Sequence, residues 1–116
     1  MSLSTTKTRD YPKTDRMRGV NYLKTITDLT YTIANEDKGK VLLFTDGATI
    51  TVPALSIPVG SQIDIIAMGA TPPSFVADTG VDLFSKGNAA ILAAQYSGAT
   101  LIMTAPSEWT LIGDLT

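Results

Sequence analysis

The sequence predicts an all-β domain, a compact antiparallel β-sandwich or barrel of about seven to nine short strands with an extended N-terminal arm. Two patterns in the 116 residues predict this class. Runs rich in Val, Ile, Thr and Phe recur at roughly ten-residue spacing, and Gly, Pro or Asp residues separate them. No segment carries the 3.6-residue apolar period of a long helix, so strands must supply the core.

Composition excludes several kinds of chemistry. The chain has no cysteine and no histidine. Disulfides, thiolate nucleophiles and histidine general bases are therefore absent, and a zinc site would lack both of its preferred ligand types. No run of about 18 apolar residues occurs, so we expect no membrane partner. We predict a protein that is not an enzyme, with no cofactor, no metal site and no catalytic residue.

Positive charge is concentrated at the N-terminus. Residues 1–24 carry six basic and two acidic side chains, whereas residues 25–116 carry three basic and nine acidic ones. We interpret residues 1–24 as an extended basic arm and residues 25–116 as the β body. Tyr11 precedes Pro12, and a residue before proline favours an extended backbone. Two alternatives stay open for the arm: a solvated, disordered terminus, or a segment that becomes ordered on a partner.

The energetics constrain an ordered arm. Fixing about 24 backbones costs roughly 24–48 kcal/mol, whereas burying its six large apolar side chains returns only about 9–18 kcal/mol. Apolar burial alone therefore cannot order the whole arm. The arm must also gain backbone hydrogen bonds, for example by adding a strand to a partner's sheet, or remain partly mobile.

Each strand of the body is predicted from its alternation or from the turn that ends it. Residues 26–33 alternate as a half-buried strand does, and residues 40–45 form a continuous apolar run typical of a central strand. Asp46 and Gly47 are a turn signal between two β runs. Residues 48–52 alternate, with Ile50 and Val52 inward, until Pro53 ends the strand. Further strands are predicted at 61–68, with Ile63 and Ile65 inward, and at 74–77, 81–84 and, as a strand or its lead-in despite its alanines, 89–94.

The last third of the chain predicts a closing hairpin. Residues 95–104 and 108–115 are β-rich runs, and Ala105, Pro106 and Ser107 form the turn between them. Trp109 is interpreted as capping the core with its N–H bonded at the sheet edge, rather than as a platform for stacking sugars. Candidates for core closure or for an oligomer interface are Tyr96, Leu101, Trp109, Leu111 and Leu115.

Carboxylates are the only plausible catalytic groups, and their pattern does not favour catalysis. Glycoside hydrolysis needs two carboxyl groups about 5–10 Å apart. Because Ile63 and Ile65 face inward, Asp64 faces solvent, and the same reasoning places Asp82 outward. We predict that both are solvated surface charges. The basic arm is interrupted by Asp10 and Asp15, and the body is acidic, so we expect no nucleic-acid partner.

Four strings carry a resemblance to a known family. Residues 57–66 (IPVGSQIDII) are similar to an FPVGTxIxIxQ segment, residues 80–83 (GVDL) to GVTL, residues 95–102 (QYSGATLI) to QYSxATLI, and residues 109–115 (WTLIGDL) to WxLIGDL. The strings resemble, in the same order, those of small β-domains in bacteriophage virion proteins. The chain departs from that pattern between residues 68 and 73, where it has more proline and less glycine. The resemblance implies tail-fibre, head-fibre or capsid decoration proteins, which are often homotrimers.

The expected function combines this resemblance with the arm. We expect a free 116-residue product, which leaves no room for a tail-fibre shaft. We therefore predict a capsid decoration (cement) protein on the virion surface, a homotrimer that binds the major capsid protein through its N-terminal arm and stabilises the shell. The alternative is a receptor- or glycan-binding domain of a tail fibre or head fibre. The candidate capsid-binding residues are Lys7, Arg9, Tyr11, Lys13, Arg16, Arg18 and Tyr22.

Overall fold

The computed structural model describes residues 22–116, which form nine strands in two sheets. The prediction of an all-β protein with seven to nine strands is confirmed, and the predicted N-terminal arm falls almost entirely outside the described residues. The strands are β1 (Leu23–Ile26), β2 (Thr30–Thr32), β3 (Val41–Phe44), β4 (Thr49–Val52), β5 (Gln62–Ala67), β6 (Ser74–Ala77), β7 (Asp82–Ser85), β8 (Gly98–Ala105) and β9 (Glu108–Gly113). Two short 3-10 helices lie at Asn35–Asp37 and Lys86–Asn88.

From β1 to β7, successive strands alternate between the two sheets. The six-stranded sheet has the order β1-β3-β5-β8-β9-β7, and the three-stranded sheet has the order β2-β4-β6. β1, β3 and β5 pair in parallel, as do β2, β4 and β6. Each turn of the chain therefore adds one strand to each sheet, which is the coil of a β-solenoid.

The predicted antiparallel sandwich or barrel is wrong for this reason. Asp46 and Gly47 do not reverse the chain into a neighbouring strand of the same sheet. They form a corner that takes it from β3 across to β4. The Thr45 N–H donates to the Ile26 carbonyl at 3.1 Å and the Thr49 N–H to the Leu29 carbonyl at 2.9 Å, so the corner stacks on the previous coil. A similar corner divides the strand predicted at residues 26–33 into β1 and β2.

The closing hairpin is confirmed and ends the solenoid. β8 and β9 pair antiparallel, and Ser107 in the turn has a left-handed φ of 57°. β8 also pairs antiparallel with β5, while β7 pairs in parallel with the other edge of β9. The lead-in predicted at 89–94 forms only isolated bridges, at Ile91 and Leu92.

The core lies between the inner faces of the two sheets. The residues predicted to face inward, Ile50, Val52, Ile63 and Ile65, are fully buried. Strand alternation places every second side chain on this inner face and leaves the others on an outer face. Because the inner positions close the core by themselves, the outer positions are free to contact other molecules.

Candidate interaction surface

The outer face of the six-stranded sheet carries seven large apolar side chains among threonines and carboxylates, and we call it the apolar face. Strand register aligns its side chains in rows, because paired residues point the same way. Leu23, Phe84 and Ile112 on this face are 56%, 51% and 55% exposed. The rows are Leu23, Val41, Asp64, Thr100 and Ile112; Thr25, Leu43, Ile66 and Gly98; and Gln62, Ile102, Thr110 and Phe84.

Two shallow grooves cross the apolar face and share Ile112. One of about 440 Å³ lies over Gly98, whose missing side chain leaves a gap between Ile66 and Ile112. The other, of about 420 Å³, lies where β7 ends and has Phe84 and Lys86 in its lining. The first groove also has Asp64 in its lining, so its walls combine apolar side chains with a carboxylate.

Three carboxylates lie at outward positions of the same sheet. Asp64 Oδ1 accepts a hydrogen bond from Thr100 Oγ1 at 2.6 Å. Glu108 Oε2 accepts one from the Thr104 hydroxyl at 2.9 Å, and Asp82 is its register partner on β7. No Lys or Arg occupies an outward strand position of this sheet within residues 22–116. The outward strand positions therefore carry negative charge among apolar and threonine side chains, and Lys86 lies beside them where β7 ends.

These carboxylates are not arranged as a glycosidase pair. Asp64 is outward, as predicted, but β5 and β7 are separated by β8 and β9, and Asp82 lies four residues along the sheet from the Asp64 row, which places the two residues about 20 Å apart. Asp82 and Glu108 are neighbours side by side on an open sheet, not facing each other across a cleft. This pair could not be predicted from the sequence, because the parallel pairing of β7 with β9 creates it. Within residues 22–116, no group of three or more acidic side chains forms a metal-binding cluster.

The hairpin candidates fall into two groups. Leu101, Trp109 and Leu111 are buried in the core, and Leu115 packs against it. They close the core, and the three buried ones cannot form a contact between subunits. Tyr96 instead lies on a turn with φ of 69° and is 69% exposed. It is therefore accessible to a partner and does not close the core.

Trp109 corrects a prediction. Its ring is fully buried, and its Nε1 has no hydrogen-bond partner among the described residues. The expected hydrogen bond at the sheet edge is therefore wrong. Burial of this indole also removes it as a sugar-stacking platform, because a stacked sugar needs an accessible ring face.

Most of the predicted arm residues cannot be placed. Lys7, Arg9, Tyr11, Lys13, Arg16 and Arg18 lie outside the described residues. Tyr22 is described and is 50% exposed, directly before β1. β1 begins at Leu23, so the boundary predicted after residue 24 falls within this strand.

Lys24 belongs to a polar cluster at the first coil of the solenoid, and not to the arm. The fully buried Asp37 carboxylate accepts hydrogen bonds from the Tyr31 hydroxyl at 2.7 Å and the Ala34 N–H at 2.9 Å. Lys24 Nζ donates to the Tyr31 hydroxyl at 2.8 Å and lies 3.3 Å from Asp37 Oδ1. The bond to Tyr31, reinforced by the charge of Asp37 and opposed by partial burial, raises the pKa of Lys24. Burial raises the pKa of Tyr31.

Comparison with known proteins gives no family assignment. The chain matches no model of a known protein family, and no curated protein is detectably similar to it. Among residues 22–116, no helix has the length and apolar character needed to cross a membrane. The function must therefore be argued from the charges and surfaces described above.

Proposed function

We propose that this protein is a non-enzymatic structural component of a bacteriophage virion. It is a capsid decoration (cement) protein that binds the major capsid protein at the outer surface of the shell and stabilises it. The observation that carries this proposal is the separation of charge between two parts of the chain. Residues 1–21 contain five basic and two acidic side chains, whereas residues 22–116 contain four basic and nine acidic ones.

This charge separation supports binding through the N-terminal segment. An acidic body is repelled by an acidic shell surface, while a basic segment is attracted to it. Complementary charge steers the encounter, and backbone hydrogen bonds to a subunit of the shell then supply the ordering energy that apolar burial alone cannot. The body needs no partner to close its core, so it can project from the shell as a preformed module.

The resemblance of four strings supports the virion context. All four fall in the six-stranded sheet or the segments leading into it: residues 57–66 lead into β5, residues 80–83 into β7, residues 95–102 into β8, and residues 109–115 cover most of β9 and the segment after it. The resemblance also supports a homotrimer. Light scattering of the purified protein tests this part: three times the chain mass is expected, and a monomer at all concentrations contradicts it.

The capsid-binding test is a deletion of residues 2–21. Extending the deletion to residue 24 would remove Leu23 and Lys24 from β1 and leave the buried Asp37 without its cation. We expect the shorter deletion to fold and to lose co-sedimentation with capsids that lack this protein. Retained binding with unchanged affinity would contradict the proposal.

A pair of double variants gives a matched control. Arg16→Gln with Arg18→Gln removes two charges from the segment and is expected to weaken capsid binding about tenfold, corresponding to about 1.4 kcal/mol. Lys38→Gln with Lys40→Gln removes two charges from the body and should leave binding unchanged. Equal weakening by both pairs would indicate a nonspecific effect of net charge.

A further inference from the structure

The groove of about 420 Å³ lies where β7 stops and β9 continues. Ser85 ends β7 and pairs with Leu111, whereas β9 runs on to Gly113. After Ser85 the chain leaves the sheet in the 3-10 helix Lys86–Asn88. The last residues of β9 therefore have no neighbour on this side among the described strands.

This early end of β7 leaves a backbone donor of β9 without an acceptor. The Asp82 N–H donates to the Ser107 carbonyl at 3.0 Å, and in a parallel ladder such bonds repeat at every second residue. The repeat directs the N–H groups of Leu111 and Gly113 toward β7. Because the pairing of the two strands ends at Leu111, Gly113 lies beyond the last carbonyl of β7. No carbonyl outside the strands accepts from its N–H among the described residues.

Lys86 adds a positive charge to the same groove. Its side chain is exposed, and the residues that line the groove include no aspartate or glutamate. Within residues 22–116, the one ion pair closer than 4.0 Å joins Lys24 to Asp37, so Lys86 has no carboxylate partner there. Ser85 contributes a hydroxyl to the lining. A cation, a backbone N–H and a hydroxyl are the donors from which a carboxylate accepts hydrogen bonds.

The acidic groups of the two strands leave this charge uncompensated. Asp82 and Glu108 begin β7 and β9, three residues or about 10 Å from the strand ends that line the groove. Asp114 follows β9, and its Oδ2 accepts a hydrogen bond from the Ser97 hydroxyl at 2.9 Å. With a single cation, the groove suits a ligand with one negative charge.

The walls of the groove are apolar. Phe84 and Ile112 are about half exposed on it, and Leu115 packs against the core beside them. Its volume of about 420 Å³ lies in the lower part of the range of roughly 300–1,000 Å³ for small-molecule sites. Covering these side chains with hydrocarbon removes apolar surface from water, which is favourable.

We propose that this groove binds a small monocarboxylate with an aliphatic or aromatic body. The carboxylate accepts hydrogen bonds from Lys86 and from the Gly113 N–H, and the apolar body lies along Phe84 and Ile112. Charge complementarity selects the anion over a neutral or cationic molecule of the same shape. The early end of β7 creates the site, because a longer β7 would satisfy the Gly113 N–H and fill the groove.

This inference goes beyond the proposed function and does not depend on it. Ligand binding is measured in the purified protein, whereas shell binding is measured with capsids. Either can fail while the other holds.

Titration of the isotope-labelled protein with hexanoate tests the site. We expect the amide signals of Ser85, Ile112 and Gly113 to shift, with a dissociation constant on the order of 1 mM for a ligand of this size. Hexanol and hexylammonium have the same chain without the carboxylate, and they should bind several-fold more weakly. Equal binding of the three molecules, or no shifts at hexanoate concentrations well above this dissociation constant, would overturn the proposal.

Two lysine variants locate the charge that the ligand meets. Lys86→Gln should weaken hexanoate binding several-fold, because the carboxylate loses its charged donor. Lys38→Gln removes an exposed cation outside the groove and should leave the dissociation constant unchanged. The amide spectrum of each variant without ligand reports directly on its fold. Unchanged binding in Lys86→Gln, or equal weakening in both variants, would overturn the proposal.

Discussion

The two sheets have similar inner faces and contrasting outer faces. Both bury apolar side chains in the shared core. On the outside, the three-stranded sheet presents a row of Thr30, Thr49 and Ser74 and a row of Thr32, Thr51 and Val76. The six-stranded sheet presents seven leucine, isoleucine, valine and phenylalanine side chains, interspersed with threonines and carboxylates.

This contrast distinguishes the inner faces, which form the folded core, from the outer face of the six-stranded sheet, which is available for interaction. Threonine is β-branched, so it favours a strand and still hydrogen-bonds to water, which shows how an outer sheet face can satisfy the fold while remaining solvated. The six-stranded sheet departs from this solution on its outer face only. Its apolar outer side chains are not needed for closing the core, which makes this face a candidate interaction surface. The following predictions test this division, from the largest expected effect to the smallest.

The sharpest comparison between inner and outer positions is provided by two neighbours on β8. Leu101 is fully buried, whereas Ile102 lies on the apolar face. Leu101→Ala should lower the free energy of unfolding by about 2–5 kcal/mol, because it leaves a cavity in the core. Ile102→Ala should lower it by less than about 1 kcal/mol. Urea unfolding of both variants measures the difference. Equal losses in the free energy of unfolding would contradict the assignment of Leu101 to the core and Ile102 to the outer face.

The hairpin offers a second comparison, between two glycines. Gly113 has φ of 153°, and a Cβ there would collide with the Gly98 carbonyl and with Ala99. Gly113→Ala should therefore cost about 1–3 kcal/mol of stability. Gly98 faces the groove, and its Cβ would approach the Ile65 carbonyl no closer than 3.5 Å, an ordinary contact. Gly98→Ala should leave stability nearly unchanged in thermal unfolding, and an equal effect at both positions would show that backbone crowding at Gly113 is unimportant.

The Lys24 cluster predicts a loss of stability in alkali. The pKa values of Lys24 and Tyr31 are raised from ordinary values of 10.5 and 10.0. The folded state therefore holds both protons more tightly than the unfolded state does. Their contribution to stability is complete below about pH 10 and declines as pH rises through the raised values.

Lys24→Met isolates this contribution. Because Lys24 is 35% exposed, solvent screens its pair with Asp37, and we expect a cost at neutral pH of about 1–2 kcal/mol, less than for a fully buried pair. Urea titrations between pH 8 and pH 11 should show a shallower alkaline decline in this variant than in the unmodified protein. Parallel curves would assign the decline to other groups.

Making one outer face resemble the other should have the smallest effect on folding. Ile66→Thr with Ile102→Thr gives the centre of the six-stranded sheet the threonine-rich surface of the three-stranded sheet. The free energy of unfolding should change by less than about 1 kcal/mol, because both positions are outward and threonine suits a strand. A loss of more than about 3 kcal/mol in urea unfolding would place these side chains in the core rather than on a binding surface.

The sequence predicted strands better than their connections. Alternation correctly identified the inward residues of β4 and β5, and the position of Pro106 and Ser107 located the closing hairpin. The pairing was predicted wrongly, because a turn signal such as Asp46-Gly47 does not distinguish a hairpin from a solenoid corner. That choice is made by stacking on the previous coil, which depends on residues far away in the sequence.

The candidate interaction surface was harder to predict from the sequence than the strands were. Asp64 could be placed outward from its neighbours alone, but the row that joins it to Ile112 requires the full strand order. The buried Asp37 looked like an ordinary turn residue, since Lys24 and Tyr31 reach it only through the tertiary fold. Trp109 was correctly predicted to lie near the core. Its indole N–H was expected to donate a hydrogen bond at the sheet edge, and the local sequence cannot establish whether an acceptor is present there.

Hydroxyl-radical footprinting of the protein tests most directly whether the outer side chains of the six-stranded sheet are separate from the core. Phe84 and Ile112 on the apolar face should be oxidised several-fold faster, relative to their intrinsic reactivities, than the buried Leu101 and Leu111 on the inner face. Equal protection of the outer and inner side chains would contradict the account, because the outer side chains would then belong to a buried core.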